Sequence, residues 1–542
     1  MKKKRLSIFL VITLSISLLT GCGNSKKAST DETATVTENP ATVTEKPVDW
    51  YMNLSWFTSK WGKDWVTQKI EKDLGFKVNL IAPPAGGENP TLTTMIASGA
   101  LPDMMTLDWS DTNINQMISA KMLTPINELA DKYAPDFYKY ADKDVLIWNK
   151  KDDGNVYGYN CYTTSPEAVK SGKNIYSNFN FWVRKDIYEA IGKPDMTTTE
   201  GFIKALRDAK AKFTTVENGS LIPMGVKQFY PDGSSTGNLS FDSELQDFLA
   251  IPYQLDGKIF DRRTDPEYIR WMKMFRQATQ EKLIPPDNFA NTQDQINVNM
   301  QNGRYFCMLD QYIDYTQQAE TWYLNDPKKA YIAVPGPKNT SGANPTLSAG
   351  SPNGWLTTVF SATGKHSENA IKLMTYLLSP AGTELLLAGI EGKTFTKNGD
   401  KYVRTPEFEA MIKENSENAY ATTGVNTWAY FCTNPQNFSY FDDTRESIKL
   451  IRDWNKPYGN YTGAFEFVPF EANSVEAKNL VSLYSLWDRT LPALLNAKSD
   501  DAFDILLNNY VAKRKTVGYD TVIAAQQKQL TSNNAKIEEM SK

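Results

Sequence analysis

The stretch DWYMNLSWFTSKWGKDWVTQKIEKDLGFKVNLIAPPAGGENPTLTTMIASGALPDMMTLDW, residues 49–109, decides the fold class. Asp49 to Trp56 reads as a first strand. Lys63 to Leu74 carries Trp65, Val66, Ile70 and Leu74 at helical spacing and is stopped by Gly75; Trp65 falls in line with Ile70 and Leu74 and is assigned to the core. Phe76 to Ile81 is a second strand, with Val78 and Leu80 on one face. Pro90 opens a helix through Ile96 that Gly99 closes, and Asp103 to Leu107 is a third short strand. A β-α-β-α-β start builds a mostly parallel sheet, and ligands of such sheets sit beyond the carboxyl ends of the strands. That places Trp56-Phe57-Thr58 and Asp108-Trp109 at one rim.

The alternation continues downstream. Lys151-Asp152-Asp153-Gly154-Asn155 separates Ile147-Trp148 from Val156-Tyr157 and reads as a hairpin turn without the ligand register of a calcium loop. Phe179 to Val183 is a strand, Lys185 to Ile191 a helix stopped by Gly192, and Thr197 to Thr199 the cap of a helix carrying Phe202, Ile203 and Leu206. Glu267 to Glu281 is helical; Tyr305 to Leu309 and Tyr331 to Val334 are strands. Glu368 to Leu378 and Thr383 to Leu387 are helical, broken by Pro380, and Ala477 to Leu495 and Ala502 to Lys513 are helical near the end. No internal repeat is visible.

A chain of 542 residues exceeds what one hydrophobic core supports and calls for two or more lobes. Its 41% hydrophobic and 23% charged residues are globular values. The formal charge is −4 and grows more negative by four without Lys2, Lys3, Lys4 and Arg5. Such a chain lacks the basic face that nucleic-acid phosphates need. Histidine occurs once, at His366, which argues against zinc hydrolases, His-based triads and two-His iron sites. Beside Ser367 at a helix start, His366 reads as a solvated cap-region residue. The basic run Lys2 to Arg5 followed by the apolar run Leu6 to Leu19 is an export-signal pattern, too short for the roughly 20 residues that span a bilayer. Ser25 to Pro47 has the composition of a disordered tether. Cys161, Cys307 and Cys432 are odd in number and widely spaced, which favours buried free thiols and leaves a single bridge open.

Several separated motifs carry a family resemblance: Leu19-Thr20-Gly21-Cys22, Ile96-Ala97-Ser98-Gly99-Ala100-Leu101-Pro102-Asp103, Leu123-Thr124-Pro125-Ile126-Asn127 with Tyr133-Ala134-Pro135, Asn155-Val156-Tyr157-Gly158, Trp182-Val183-Arg184-Lys185-Asp186 with Gly192-Lys193-Pro194, and Trp487 through Leu507. In this order they resemble the extracellular solute-binding proteins, family 1, of bacterial ABC sugar importers, above all the long lipoprotein branch of Gram-positive bacteria. The chain departs from the family at Gly389-Ile390-Glu391-Gly392-Lys393-Thr394, where a Gly-Tyr-rich loop containing Trp-Pro is often seen.

The resemblance implies a two-lobe α/β fold of the periplasmic-binding-protein-like type II, each lobe a mostly parallel sheet flanked by helices. Residues 1–21 would be a lipoprotein signal peptide, and 22–47 the lipidated Cys22 and its tether. Residues 48–160 and 350–395 would form lobe one, 161–349 and 396–542 lobe two, with hinge crossovers near 160–170, 335–350 and 395–400. It further implies a monomer held by its lipid on the extracellular face of the membrane. There it would capture a carbohydrate in the interlobe cleft and deliver it to the ABC permease, with no cofactor, metal or catalytic residue.

A sugar offers an apolar C–H face and an edge of hydroxyls, so its receptor needs aromatic plates beside side chains that both donate and accept. The candidates are Trp56, Trp61, Asp108 and Trp109; Tyr157, Asn160 and Tyr162; Arg184; Asp310, Gln311 and Tyr312; Asn353, Gly354 and Trp355; and Trp428 with Ala429, Tyr430 and Phe431. For each ring, core packing is the competing reading, and for Arg184 a lobe-internal pair with Asp186. Other classes stay open: a cell-surface glycoside hydrolase, which needs only two carboxylates roughly 5–10 Å apart, a non-catalytic glycan-binding lipoprotein, and a peptide receptor of the same fold.

Overall fold

The computed structural model describes residues 46–171, 177–217, 219–226, 240–399, 401–429, 440–441, 445–471 and 473–542. The export signal, Cys22, most of the tether, Tyr430, Phe431 and Cys432 lie outside them. Two sheets organise the described chain.

In lobe one, Val48–Met52 lies between Val78–Ile81 and Met104–Asp108, all parallel as the opening stretch implies. Leu356–Ser361 then pairs antiparallel with Met104–Asp108, and antiparallel again with Leu123–Thr124 and Gly158–Asn160. The reason is connectivity. The chain re-enters this lobe from the hinge, so its first strand starts at the rim where the parallel strands end and must run against them. Lobe two repeats the device. Phe179–Arg184 enters from the hinge and is antiparallel to both Tyr305–Gln311 and Tyr331–Ala333, while Ile222–Met224 runs parallel to Tyr305–Gln311. In each sheet the strands thus run one way, as expected of mostly parallel sheets, except the one by which the chain enters the lobe: Leu356–Ser361 in lobe one and Phe179–Arg184 in lobe two.

Both faces of the lobe-one sheet are covered. Trp50, Met52, Met104 and Phe360 point into one cluster, while Tyr51, Met105, Leu107 and Val359 point into another on the opposite face. That two-residue period with apolar groups on both sides explains the unbroken run Met104-Met105-Thr106-Leu107. In lobe two, Phe181 and Val183 face the larger cluster and Trp182 the smaller one. The first helix, Trp65–Leu74, is capped by Asp64, whose carboxylate accepts from Thr67 N–H, and stopped at Gly75 in the left-handed conformation. Trp65 itself is half-buried under Lys393 Nζ, 5.2 Å from its ring, and not in the core: Val66 and Ile70 hold the inward face.

The third hinge crossing expected near 395–400 is not there. The hairpin Phe395–Asn398 with Lys401–Arg404 lies against Pro380–Ala388, with Lys397 Nζ 2.7 Å from Glu384. Helix Pro406–Thr423 then leads into Gly424, whose positive φ of 78° and missing side chain let the backbone sit on the Asp64 carboxylate; a Cβ there would fall 2.0 Å from Asp64 Oδ1. Residues 396–429 accordingly pack on lobe one, against the expected assignment to lobe two.

Residues 347–350 and 459–461 pair in parallel as they leave lobe two. The C-terminal helix Tyr519–Met540 packs on Val475–Leu495 and Asp500–Thr516 of lobe two and on Lys143–Asn149 of lobe one. Among the described residues no helix is long and apolar enough to cross a membrane. Cys161 and Cys307 are both buried.

Candidate ligand cleft and hinge

The carboxyl ends of the lobe-one strands carry aromatic side chains on a tightly bonded frame. After Val48–Met52, Asn53 N–H donates to Thr106 O at 2.9 Å and Ser55 N–H to Glu88 Oε1 at 2.9 Å, which turns the chain outward. Trp56 follows and is 56% exposed. Its ring stacks on Trp355, centroids 6.1 Å apart and planes within 6°, and Tyr162 meets the same Trp355 edge-on at 6.1 Å. Trp109 joins the rim through its N–H, which donates to Trp355 O at 3.2 Å. Asp108 turns back on its own loop, accepting from Ser110 N–H at 2.8 Å and Ser110 Oγ at 2.5 Å. Asn160 is 2% exposed and donates to Asn353 O at 2.9 Å.

Two hinge strands touch at Gly354. Trp355 N–H donates to Cys161 O at 3.0 Å, and a Cβ on Gly354, which has φ of 62°, would lie 1.9 Å from that same oxygen. No other residue fits there. Around it runs a polar network: Trp148 Nε1 donates to Asn353 Oδ1 at 2.7 Å, Asn353 Nδ2 donates to Glu466 Oε2 at 3.0 Å, and Ser351 Oγ donates to the same oxygen. Burial pushes the Glu466 carboxyl up to about 7, against the opposing pull of those donors.

Lobe two meets the hinge with Gln311 and Tyr312. Tyr312 N–H donates to Asn178 O at 3.0 Å, and Gln311 Nε2 to Asp314 Oδ2 at 3.0 Å. Tyr312 is 8% exposed and packs within the smaller lobe-two cluster. Asp310 is buried and accepts from Gln311 N–H at 2.7 Å and Tyr315 OH at 2.8 Å. Its strand neighbour Asn180, missed in the sequence, is buried, and neither its side-chain nitrogen nor its oxygen has a bonding partner among the described residues. Nothing in the flanking pattern marks it, because the residue reads as one polar position inside a strand.

Three expected site residues are elsewhere. Arg184 stands at the far end of its strand, five residues or about 17 Å from the rim at Phe179. It is held by Asp186 at 2.7 and 2.8 Å, by Gly303 O at 2.6 Å, and against the Trp322 ring; the lobe-internal pair is the correct reading. Trp61 and Trp428 are core rings of lobe one, 4.9 Å apart, and Trp428 Nε1 donates to Asp64 Oδ2 at 2.9 Å. Trp428 therefore packs inside lobe one. His366 stands at the N-cap position of Ser367–Leu378 without a side-chain capping bond; its N–H donates to Asp103 Oδ1 at 2.8 Å and its ring Nδ1 lies 3.1 Å from Asp103 Oδ2.

The model of the family described as bacterial extracellular solute-binding protein matches residues 65–410, more than half of the chain. The fructooligosaccharide ABC transporter substrate-binding protein FusA of Streptococcus pneumoniae serotype 4 is 23% identical over 298 residues, 52% of this chain and 53% of that protein. The chain thus spans about half the length of this curated relative. The solved structure of S. pneumoniae FusA in complex with kestose superposes with a TM-score of 0.67 at 16% identity, covering 90% of this chain and 100% of that one. An HMO-binding, ABC-transporter-associated solute-binding protein from Bifidobacterium longum infantis gives 0.64 at 15% identity, covering 90% and 98%. These likenesses show the two-lobe, periplasmic-binding-protein-like fold.

Proposed function

The chain belongs to the bacterial extracellular solute-binding protein family, and from that premise we propose that it is the substrate-binding lipoprotein of an ABC importer, capturing a carbohydrate, and in particular an oligosaccharide, between its lobes for delivery to the membrane permease. One observation carries the ligand class: Trp56, more than half exposed, stacked on Trp355 with Tyr162 beside it, at the strand ends where such sheets bind. A flat ring left open to water at that place suits the C–H face of a sugar. The names of the relatives, which bind fructooligosaccharide and HMO, support the same class. Binding, not catalysis, is the proposed activity.

The ligand is held as the lobes rotate about the 161–164 and 347–354 crossovers, a hinge closure. A ligand that binds only the closed folded form must raise the melting temperature by linkage. Thermal shift with fructooligosaccharides, milk oligosaccharides and a peptide set tests this. Stabilisation by at least one oligosaccharide is expected; stabilisation by peptides alone would make the chain a peptide receptor, and release of shortened sugars a hydrolase. Leu19-Thr20-Gly21-Cys22 supports lipid anchoring through Cys22 on the extracellular face of the membrane. Cys22→Ala should leave the protein unprocessed or shed into the medium, and a detergent-dependent membrane fraction unchanged from wild type would count against the anchor.

A further inference from the structure

Beside the cleft, lobe one holds a second concavity of about 50 Å³ that no strand or helix of lobe two lines. Its floor is the sheet end at Asn160, and its cover is Val468-Pro469, the chain that has just left the hinge. That cover is tied down on both sides: Asn115 Nδ2 donates to Pro469 O at 2.8 Å, and Gln529 Nε2 to Val468 O at 3.1 Å. The space exceeds the roughly 10–15 Å³ that one water needs, and suits a few polar atoms.

The polar groups around it are unbalanced in a telling way. Asn160 donates one N–H to Asn353 O, and its buried Oδ1 has no partner among the described residues. Asn115 donates one N–H to Pro469 O, and Asn149 one to Val145 O at 3.0 Å, which leaves both amide oxygens to accept. Asp111 accepts twice from Asn113 on Oδ1, at 2.9 and 2.8 Å, and its second oxygen has no partner among the described residues. Against these acceptors stands one charged donor. Lys151 Nζ has no hydrogen-bond or ion-pair partner among the described residues, and burial pulls its pKa down despite Glu471, Asp152 and Asp153 nearby. A buried acceptor left without a donor loses its hydration for nothing, so such a cluster is normally filled. The acceptors repel a phosphate or carboxylate, and the ammonium repels a metal ion. What fits is a group that donates two or more O–H bonds and accepts one N–H: adjacent hydroxyls on a carbon ring. Trp109 and Tyr157 line the same space.

We propose that this pocket is a chain-end subsite, holding two adjacent hydroxyls of a terminal sugar ring, with O–H groups donating to Asn160 Oδ1 and Asp111 and one oxygen accepting from Lys151 Nζ. It rests on the carbohydrate reading above. The subsite would fix where an oligosaccharide ends, while the Trp56–Trp355 plates accept any ring.

The test takes the best-binding linear oligosaccharide from the thermal-shift panel and its derivatives O-methylated on the terminal ring at one end or the other. Titration calorimetry on the whole chain compares wild type with Lys151→Met and Asp111→Asn. Each variant, with its apo melting temperature kept, should lose at least tenfold in affinity for the unmodified sugar. Methylation at one end should cost wild type a similar factor and leave the variants little further to lose. Folded variants that bind as tightly as wild type overturn the subsite, as does a wild type indifferent to methylation at both ends. The methylated ligands decide alone if a variant fails to fold. If no oligosaccharide binds wild type, the carbohydrate reading falls and the subsite with it; binding that ignores all these changes removes the subsite only.

Discussion

Trp56 and Trp428 carry the same side chain and meet opposite surroundings, and each predicts its own mutant. Trp56 is 56% exposed and supported on one face by Trp355. Trp56→Ala should weaken sugar binding by about 1.5–3 kcal/mol, roughly 10- to 150-fold. Apo stability should fall only by the roughly 0.5–1.5 kcal/mol of an aromatic pair. Trp428 is 1% exposed, touches Phe57 and Trp61, and bonds Asp64; Trp428→Ala should remove about 3–5 kcal/mol of folding stability. Calorimetric titration and apo melting on both variants separate the two roles, and equal loss of stability in both would remove Trp56 from the cleft. The sequence names these rings but does not sort them. Position beyond a strand end was legible for Trp56 and Trp109, because the strand pattern around them is strong. Trp428 lies after a helix whose lobe depends on Gly424 docking on Asp64, a contact between residues 360 positions apart, and no local pattern announces it.

Elements whose apolar residues keep a clear period were legible, and those held by long-range contacts were not. Asp265 and Pro266 open the helix Pro266–Gln280 where its spacing predicted, and Phe179–Arg184 and Tyr305–Gln311 stand close to their expected bounds. Tyr519–Met540 buries only Val522, Leu530, Asn533 and Met540 along 22 residues, too sparse a stripe to read. The sequence alone puts hinge crossings near 160–170, 335–350 and 395–400, and it says nothing of the chemistry between them. Glu466 sits in that hinge with its carboxyl raised from 4.5 to about 7 by burial, beside Tyr461. The folded chain keeps this proton in a range where the unfolded chain has released it, so its contribution to stability is fully present below about pH 4.5 and is lost as pH rises towards 7. Glu466→Gln keeps an oxygen for Ser351 and Asn353 but cannot titrate. Its melting temperature should therefore decline less than that of wild type between pH 4.5 and 7, and parallel profiles would place the titration elsewhere.

At the scale of the molecule, the two lobes are joined by more than the crossovers. Tyr519–Met540 lies along lobe two and reaches lobe one, where Lys536 Nζ donates to Trp148 O at 2.6 Å and Lys150 O at 3.1 Å. Burial lowers this lysine to about 8, so the link is an ammonium held with little water around it. Trp148 in turn bonds Asn353 in the hinge network. Helix end and hinge thus act on one tryptophan, and rotation of the lobes has to pivot close to it rather than slide. A pivot leaves each sheet intact, so ligand should change the radius of gyration and not the circular dichroism. Small-angle scattering with and without a saturating oligosaccharide should show a smaller molecule in its presence, the far-UV spectrum unchanged. Lys536→Met removes the tie at the helix end; its ligand-free form should be more expanded than wild type, and its liganded form should match wild type, because the sugar supplies the interlobe contacts that the tie provided in part. An unchanged radius on adding ligand to wild type would mean that the lobes stand closed before the sugar arrives, and the hinge network around Trp148 and Glu466 would then serve rigidity instead of motion.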